Sequence, residues 1–441
     1  MLLRGLRLIL LASPFALQAA EPHVHEYLLD NGLKVLVQED HRAPVVVSQV
    51  WYKVGASYEY GGITGISHML EHMMFKGTDK HPPGEFSRII AANGGRENAF
   101  TGQDYTAYFQ QLEKSRLPVS FELEADRMRN LKLLELEFAK EHQVVLEERR
   151  LRTDDQPRAK MQEHFDAVAY TNSPYKNPVI GWPADVAGLT LADLKSWYKL
   201  WYAPNNATVV VVGDVNPDEV QKLAKKFFGP LKKSELPPLK PQTEVEQLGL
   251  RRMTVKVPAK LPYLVMGYKT PALKTAADES EAYALEVAAG ILDGGNSARL
   301  ASRLVRGQQI AASAGAGYDL FSRMANLFML EGTPVQGKNV ADLEKALLEE
   351  VRRLRDEPVG ADELNRVKAQ VLASHVYQLD STFYQAMQLG TAETVGLGWQ
   401  KAREYVDKIN AITAEQVQKV AQKYLVDDHL TIAHLDPLPL P

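Results

Sequence analysis

The amino-acid sequence predicts an α+β protein in which one sheet-and-helix domain is used twice. Three observations carry that prediction. Strand-like and helix-like stretches alternate through both halves of the chain. The close of the first half, Leu189-Thr190 through Tyr202 into Thr208-Val-Val-Val, is echoed 223 residues later by Ile412-Thr413 through Leu425 into Thr431-Ile432. Both copies read as helix, polar turn and strand. Between the halves, Pro237, Pro238 and Pro241 stand among lysines and glutamates, a composition that suits an extended, exposed connector. The expected organisation is a leader over 1–20, a first domain over 21–230, a linker over 231–250 and a second domain over 251–441.

The elements follow in order. Met1 to Arg7 is a short basic region without an acid, Leu8 to Leu17 is an apolar run broken by Pro14, and Ala19-Ala20 offers a small-residue cleavage point. This reads as a secretory signal peptide, with a run too short to span a bilayer well. A mitochondrial presequence is the rival, but such segments are amphipathic and Ser-rich, and this one is a compact apolar block. Export to the periplasm, with no transmembrane segment in the mature chain, is the expectation. Glu26 to Glu39 reads as a hairpin turning at Asn31-Gly32, and Val45 to Val54 as a further strand.

Next comes His68-Met69-Leu70-Glu71-His72, an H-x-x-E-H motif in a helical stretch. Positions i, i+3 and i+4 share one helix face, so two imidazoles and a carboxylate point the same way. That set suits a zinc-activated water, with His68 and His72 as ligands and Glu71 as the base. Asn93-Gly94-Gly95 then marks a turn, and the residues around Phe100, Tyr105 and Tyr108 favour strands, with the two tyrosines expected in the core. The segment Glu137 to Arg150 reads as a helix, with Val144, Val145 and Leu151 on an apolar face and Glu141 and Glu148 on one stripe. Taken alone, that stripe beside Arg149, Arg150 and Arg152 reads as a solvated charged face. The half closes with a helix from Leu191 to Trp201, a turn at Pro204-Asn205-Asn206 and a strand from Ala207 to Val212.

With His68, Glu71, His72 and a glutamate 76 residues beyond His72, the chain resembles the pitrilysin or M16 family of zinc metallopeptidases. The resemblance implies that Glu148 is the third zinc ligand and that Glu141, seven residues earlier, supports the site. It implies a LuxS/MPP-like metallohydrolase fold whose two domains form half of a peptide-enclosing chamber. The G-G-x-x-N-A-x-T pattern ending at Thr101 then lies on an edge strand beside the zinc, where an extended peptide can add. Asn98, Ala99 and Phe100 become candidate substrate contacts. Adding 223 to His68 lands in Ile291 to Leu300, where no ligand pattern appears, so the second copy keeps the scaffold without the metal.

One departure stands out. Family members that act alone carry an Arg and, seven residues on, a Tyr in the second half. Here Arg306 fills the first place, but Ser313 fills the second, and Tyr318 comes five residues too late. A lost phenol removes a donor for a developing oxyanion. The resemblance therefore implies a split site: this chain as the zinc subunit of a heterodimer, with a homologous partner subunit carrying the Arg-Tyr pair. The expected activity is hydrolysis of peptides or unfolded polypeptides. The alternative is a non-catalytic M16-like scaffold or peptide-binding subunit.

Composition narrows the rest. The 441 residues are 45% hydrophobic and 24% charged, ordinary for a globular chain, and a net charge of −4 leaves no nucleic-acid footprint. There is no cysteine, hence no disulfide. His23 and His25 are expected in a mobile tail. His41, His81, His164, His375, His429 and His434 lack partners at ligand spacing, and His142 faces away from Glu141.

Overall fold

The computed structural model describes residues 23–240 and 242–440. The leader expected over 1–20, and Pro241 of the linker, lie outside the described residues. The first half opens with β1 (Val24–Leu28), turns at Gly32 and returns as β2 (Lys34–Glu39), followed by β3 (Val45–Tyr52). Helices α1 (Ile66–Met73) and α2 (Glu85–Ala92) lead to the hairpin of β4 (Arg96–Thr101) and β5 (Thr106–Glu113). Then come α3 (Leu117–Asn130), α4 (Glu135–Arg149), α5 (Pro157–Ala169), α6 (Pro183–Gly188) and α7 (Leu191–Trp201). The half ends with β6 (Ala207–Gly213) and α8 (Pro217–Phe227).

Residues 231–250 hold no helix or strand among those described. The second half runs β7 (Arg251–Pro258), β8 (Tyr263–Thr270), α9 (Glu279–Asp293), β9 (Ala311–Gly317) and β10 (Asn326–Pro334). It continues through α10 (Val340–Asp356), α11 (Ala361–Gln378), α12 (Thr382–Thr394), α13 (Gln400–Ala411) and α14 (Ala414–Tyr424) to β11 (Leu430–Leu438).

The repeat expected from the echoed segments is present in the sheets. The first is ordered β1-β2-β6-β3-β5-β4 and the second β7-β11-β8-β10-β9. With β1 set aside, strand order matches position for position, and the pairing senses match too. β2–β6 and β7–β11 are the parallel pairs, and the others are antiparallel. Strand β6, Ala-Thr-Val-Val-Val-Val-Gly, is buried along its whole length. A central strand covered on both faces needs such an unbroken apolar run.

What covers those faces is not sequential. Val35, Val37, Val50, Val209 and Val211 face the first half's own core. Leu36, Val47, Trp51, Val210 and Val212, on the opposite face, pack against Ala386 and Leu389 of α12, which belongs to the second half. In return Met161, Phe165 and Ala169 of α5 cover Val265, Leu327, Ala433 and Leu435 of the second sheet. Each half thus lends a helix to the other. Both loans need a glycine. A Cβ on Gly390 of α12 would collide with the Trp51 indole, and one on Gly267 of β8 would sit 2.9 Å from the tip of Phe165.

Polar groups lock the joint. Arg323, between β9 and β10, donates from Nε to Asp104 at 3.1 Å and from Nη2 to the Ser57 hydroxyl at 2.7 Å. Its guanidinium lies 4.4 Å over the Tyr58 ring. Lys34 of β2 pairs with Glu393 of α12 at 2.7 Å.

Two expectations are corrected. His25 is not in a tail: it lies within β1, opposite Val37, with its ring 3.5 Å from Glu39, because the chain enters the sheet at Val24. Val144 and Leu151 are not core residues. Only Val145 of that trio is buried, since α4 presses just one narrow side inward, at Phe138, Val145 and Arg149. Tyr108 is buried as expected, and Tyr105 packs against Trp51 at 5.0 Å. Among the described residues no helix is long and apolar enough to cross a membrane.

Candidate metal centre

The cluster is built from two helices and one strand. In α1, Ile66, Met69, Leu70 and Met73 are buried at i, i+3, i+4 and i+7 spacing. That stripe faces the core and turns His68, Glu71 and His72 to another side. The helix starts at Gly65, in the left-handed region (φ 88°), where a Cβ would strike the Ile180 carbonyl. Glu59, itself buried, caps the first turn by accepting from Gly65 N at 2.7 Å and Ser67 N at 2.8 Å. Burial pushes its carboxyl up to about 8, against the pull of those donors.

On α4, Glu141 and Glu148 are two turns apart and lie on one face. Glu148 Oε2 sits 3.3 Å from His72 Nε2 and 3.8 Å from His68 Nε2. Glu141 Oε2 accepts from His72 Nδ1 at 3.1 Å, which leaves Nε2 as the ring's free lone pair. Although burial opposes its ionisation, bonds to Lys76 and His72 hold the Glu141 carboxyl below the usual range. The His68 and His72 rings are 4.9 Å apart. Burial, with the charges of His72 and Arg152, pushes His68 down to about 3, so its imidazole is neutral. Glu71 stands beside them, with Oε2 accepting from the Thr101 hydroxyl of β4 at 2.5 Å. Burial raises the Glu71 carboxyl above its ordinary value, and the Thr101 bond partly offsets this.

One donor atom from each of His68, His72 and Glu148 falls within 4.8 Å of the other two. Two donors on one tetrahedral zinc stand roughly 3.3 Å apart, given bonds of about 2.0–2.1 Å. The observed 3.3 and 3.8 Å separations, with two imidazoles and one carboxylate as donors, fit that ion. The same three residues leave a fourth position open, the arrangement of a catalytic site.

The remaining candidates divide. β4 is the edge of its sheet, so Asn98, Ala99 and Phe100 lie on a strand with one unpaired side. Thr101 and Ala99 share one face of that strand, and Asn98 and Phe100 the other. Arg306 is exposed at the end of a wide helical turn, Leu300–Gly307, and no described hydrogen bond or ion pair ties it to the cluster. Ser313 lies on β9, and the Tyr318 hydroxyl donates to the Pro271 carbonyl at 2.6 Å. Two contributors escape a reading of the sequence alone, Thr101 on Glu71 and Arg152 on Glu148. The second had a signal, since i and i+4 is an ion-pair spacing on a helix.

Comparison with known proteins identifies the family. Residues 34–182 match the family described as insulinase (peptidase family M16), and residues 188–371 match the one described as peptidase M16 inactive domain. The zinc protease PqqE of Helicobacter pylori is 33% identical over 440 residues, covering 99% of this chain and 98% of the relative. A crystal structure described as a protease from Helicobacter pylori superposes with a TM-score of 0.89 at 32% identity, over 94% of this chain and 100% of the other. The periplasmic protease PqqL of Escherichia coli shares the fold, with a TM-score of 0.79 at 19% identity, over 94% of this chain and 48% of that longer one.

Proposed function

Because the chain belongs to the M16 family of insulinase-type peptidases, we propose that it is a zinc-dependent endopeptidase acting on peptides or unfolded polypeptides. The observation that carries this reading is the convergence of His68, His72 and Glu148 from two helices, with Glu71 held beside them. Zinc bound there would supply a Lewis acid that activates water and polarises a carbonyl.

The chain's own groups do the rest. Glu71 takes a proton from the attacking water and delivers it to the leaving amine. Thr101 aims that carboxylate, and Glu141 fixes the tautomer and tilt of His72. A substrate in extended form pairs with the free edge of β4, at Asn98, Ala99 and Phe100. The metal belongs to the domain over 21–230, and the domain over 251–441 serves as scaffold. Arg306, without a tyrosine seven residues on, supports the reading that a homologous partner subunit completes the site. Export to the periplasm after removal of residues 1–20 is part of the same proposal, supported by the likeness in fold to the periplasmic protease PqqL of Escherichia coli.

The test uses Glu71→Gln. The variant should bind zinc at the wild-type stoichiometry by elemental analysis while peptide cleavage falls by roughly a hundred- to ten-thousand-fold. Retained hydrolysis would show that the base is another residue. A folded wild-type protein that takes up no metal would end the assignment. Strong cleavage by the lone chain would remove the partner subunit from it.

A further inference from the structure

Beyond Glu148 the helix α4 runs on into a wide π-type turn, Arg150–Asp154, closed by Asp155 N donating to Arg150 O at 2.8 Å. Such turns recur at functional sites. Three arginines leave this stretch with different commitments. Arg149 is buried, donating to the Gly181 carbonyl at 2.6 Å and pairing with Glu163 at 2.7 Å. Arg150 pairs with Glu147 at 2.6 Å and also with Asp155. Arg152 is 75% exposed, and its one ion pair among the described residues joins Nη1 to Oε1 of Glu148.

That single contact has two results. It occupies Oε1, so Glu148 turns only Oε2 toward the imidazoles. It also holds a guanidinium at the rim of the centre, on the carboxylate of a candidate metal ligand. A guanidinium carries five N–H donors in a rigid fork. One arm is used on Glu148, and the exposure of the side chain leaves the others facing solvent. The other cation beside the cluster, Lys76, is already answered by Glu141 at 2.7 Å. Val144 and Leu151, i−4 and i+3 from Glu148, are exposed and carry no acceptor side chain.

We propose that Arg152 anchors the substrate of this site, gripping a carboxylate of the bound peptide with the donors that Glu148 leaves free. The inference rests on the peptidase reading above and deepens it: the favoured substrates are acidic peptides. An arginine fork matches a carboxylate in two parallel hydrogen bonds, which a lysine cannot reproduce. The carboxylate comes either from an Asp or Glu side chain near the scissile bond or from a free carboxyl terminus.

The experiment uses four fluorescent peptides, alike except for Glu or Gln beside the cleaved bond and a free or amidated C-terminus. Cleavage is measured with wild type, Arg152→Gln and Arg152→Lys, each alone and with a co-expressed homologous partner subunit. Binding is measured by anisotropy on the same chains carrying Glu71→Gln, and zinc content by elemental analysis. Wild type should favour the carboxylate-bearing peptide about tenfold in kcat/KM and in affinity. The arm that shows the preference identifies its source. Arg152→Gln should bring the ratio near one, chiefly through KM, with zinc retained, and Arg152→Lys should keep part of the preference. If Arg152→Gln loses zinc, Arg152→Lys, which keeps a cation on Glu148, carries the comparison. Cleavage without a carboxylate preference, or equal weakening of acidic and neutral peptides, overturns this inference alone. A wild-type chain that takes no zinc and cleaves no peptide overturns the peptidase reading and this inference with it.

Discussion

Thr101 sets how Glu71 is presented. Its hydroxyl is the one side-chain donor among the described residues bonded to that carboxylate, and it reaches across 30 residues from strand to helix. The relations among His68, Glu71 and His72, and between Glu141 and Glu148, are steps of one or two turns within a helix, and periodicity displays them directly. The contact of Thr101 with Glu71, and that of Arg323 with Asp104 across 219 residues, depend on tertiary packing and leave no trace in local spacing. Elsewhere, a single titrating group offers a pH test. Glu286 of α9 is half-buried and accepts from Tyr405 at 3.3 Å. Burial, aided by Asp319, raises its carboxyl from 4.5 to about 7 despite that bond. Between those values the unfolded chain is ionised while the native chain keeps its proton, so this group costs stability as pH rises and the full cost is present above pH 7. Glu286→Gln should therefore raise stability by about 1–2 kcal/mol at pH 8, allowing for its partial exposure, and by nothing near pH 4. Denaturant melts at the two pH values check this, and an equal effect at both would refute it.

At the scale of elements, the strands and the two ligand-bearing helices follow from patterning that the sequence shows openly. The unbroken valines of β6 announce a strand covered on both sides, and the stripe of Ile66, Met69, Leu70 and Met73 announces which side of α1 is dry. Which element supplies the second cover is not written locally. α5 and α12 carry apolar faces whose partners lie in the other half, so no neighbouring segment betrays them. The same blindness misplaced Val144 and Leu151, whose apolar character reads as core while both side chains are exposed. The glycine beneath α12 gives a direct test. Gly390→Ala puts a methyl into the Trp51 ring, and overpacking of this kind costs about 1–3 kcal/mol. Differential scanning calorimetry should show a lower Tm for the whole protein. A drop confined to a separate second-half transition would contradict the packing described.

For the molecule as a whole, the repeat is visible twice, in the echoed helix-turn-strand segments and in the matched order of the two sheets. Among the described residues, the candidate metal cluster lies in the first copy alone. The joint between copies is both apolar and charged. Asp104 is buried and receives Arg323, Ser57 and Tyr175. Arg323→Ala would leave that carboxylate short of its countercharge, at a cost of about 3 kcal/mol. The expected readout is a lower denaturation midpoint with both halves still melting together. Two resolved transitions in that variant would mean that Arg323 alone couples them.

The exchanged helices carry a further consequence for any cut made in the connector. The N-terminal fragment would keep α5, the cover its sister sheet requires, and the C-terminal fragment would keep α12 in the same way. Cleavage by a contaminating protease would therefore yield a nicked but intact particle on gel filtration. Fragments expressed apart would each display a bare apolar sheet face and precipitate, whereas the same fragments produced in one cell would rescue each other.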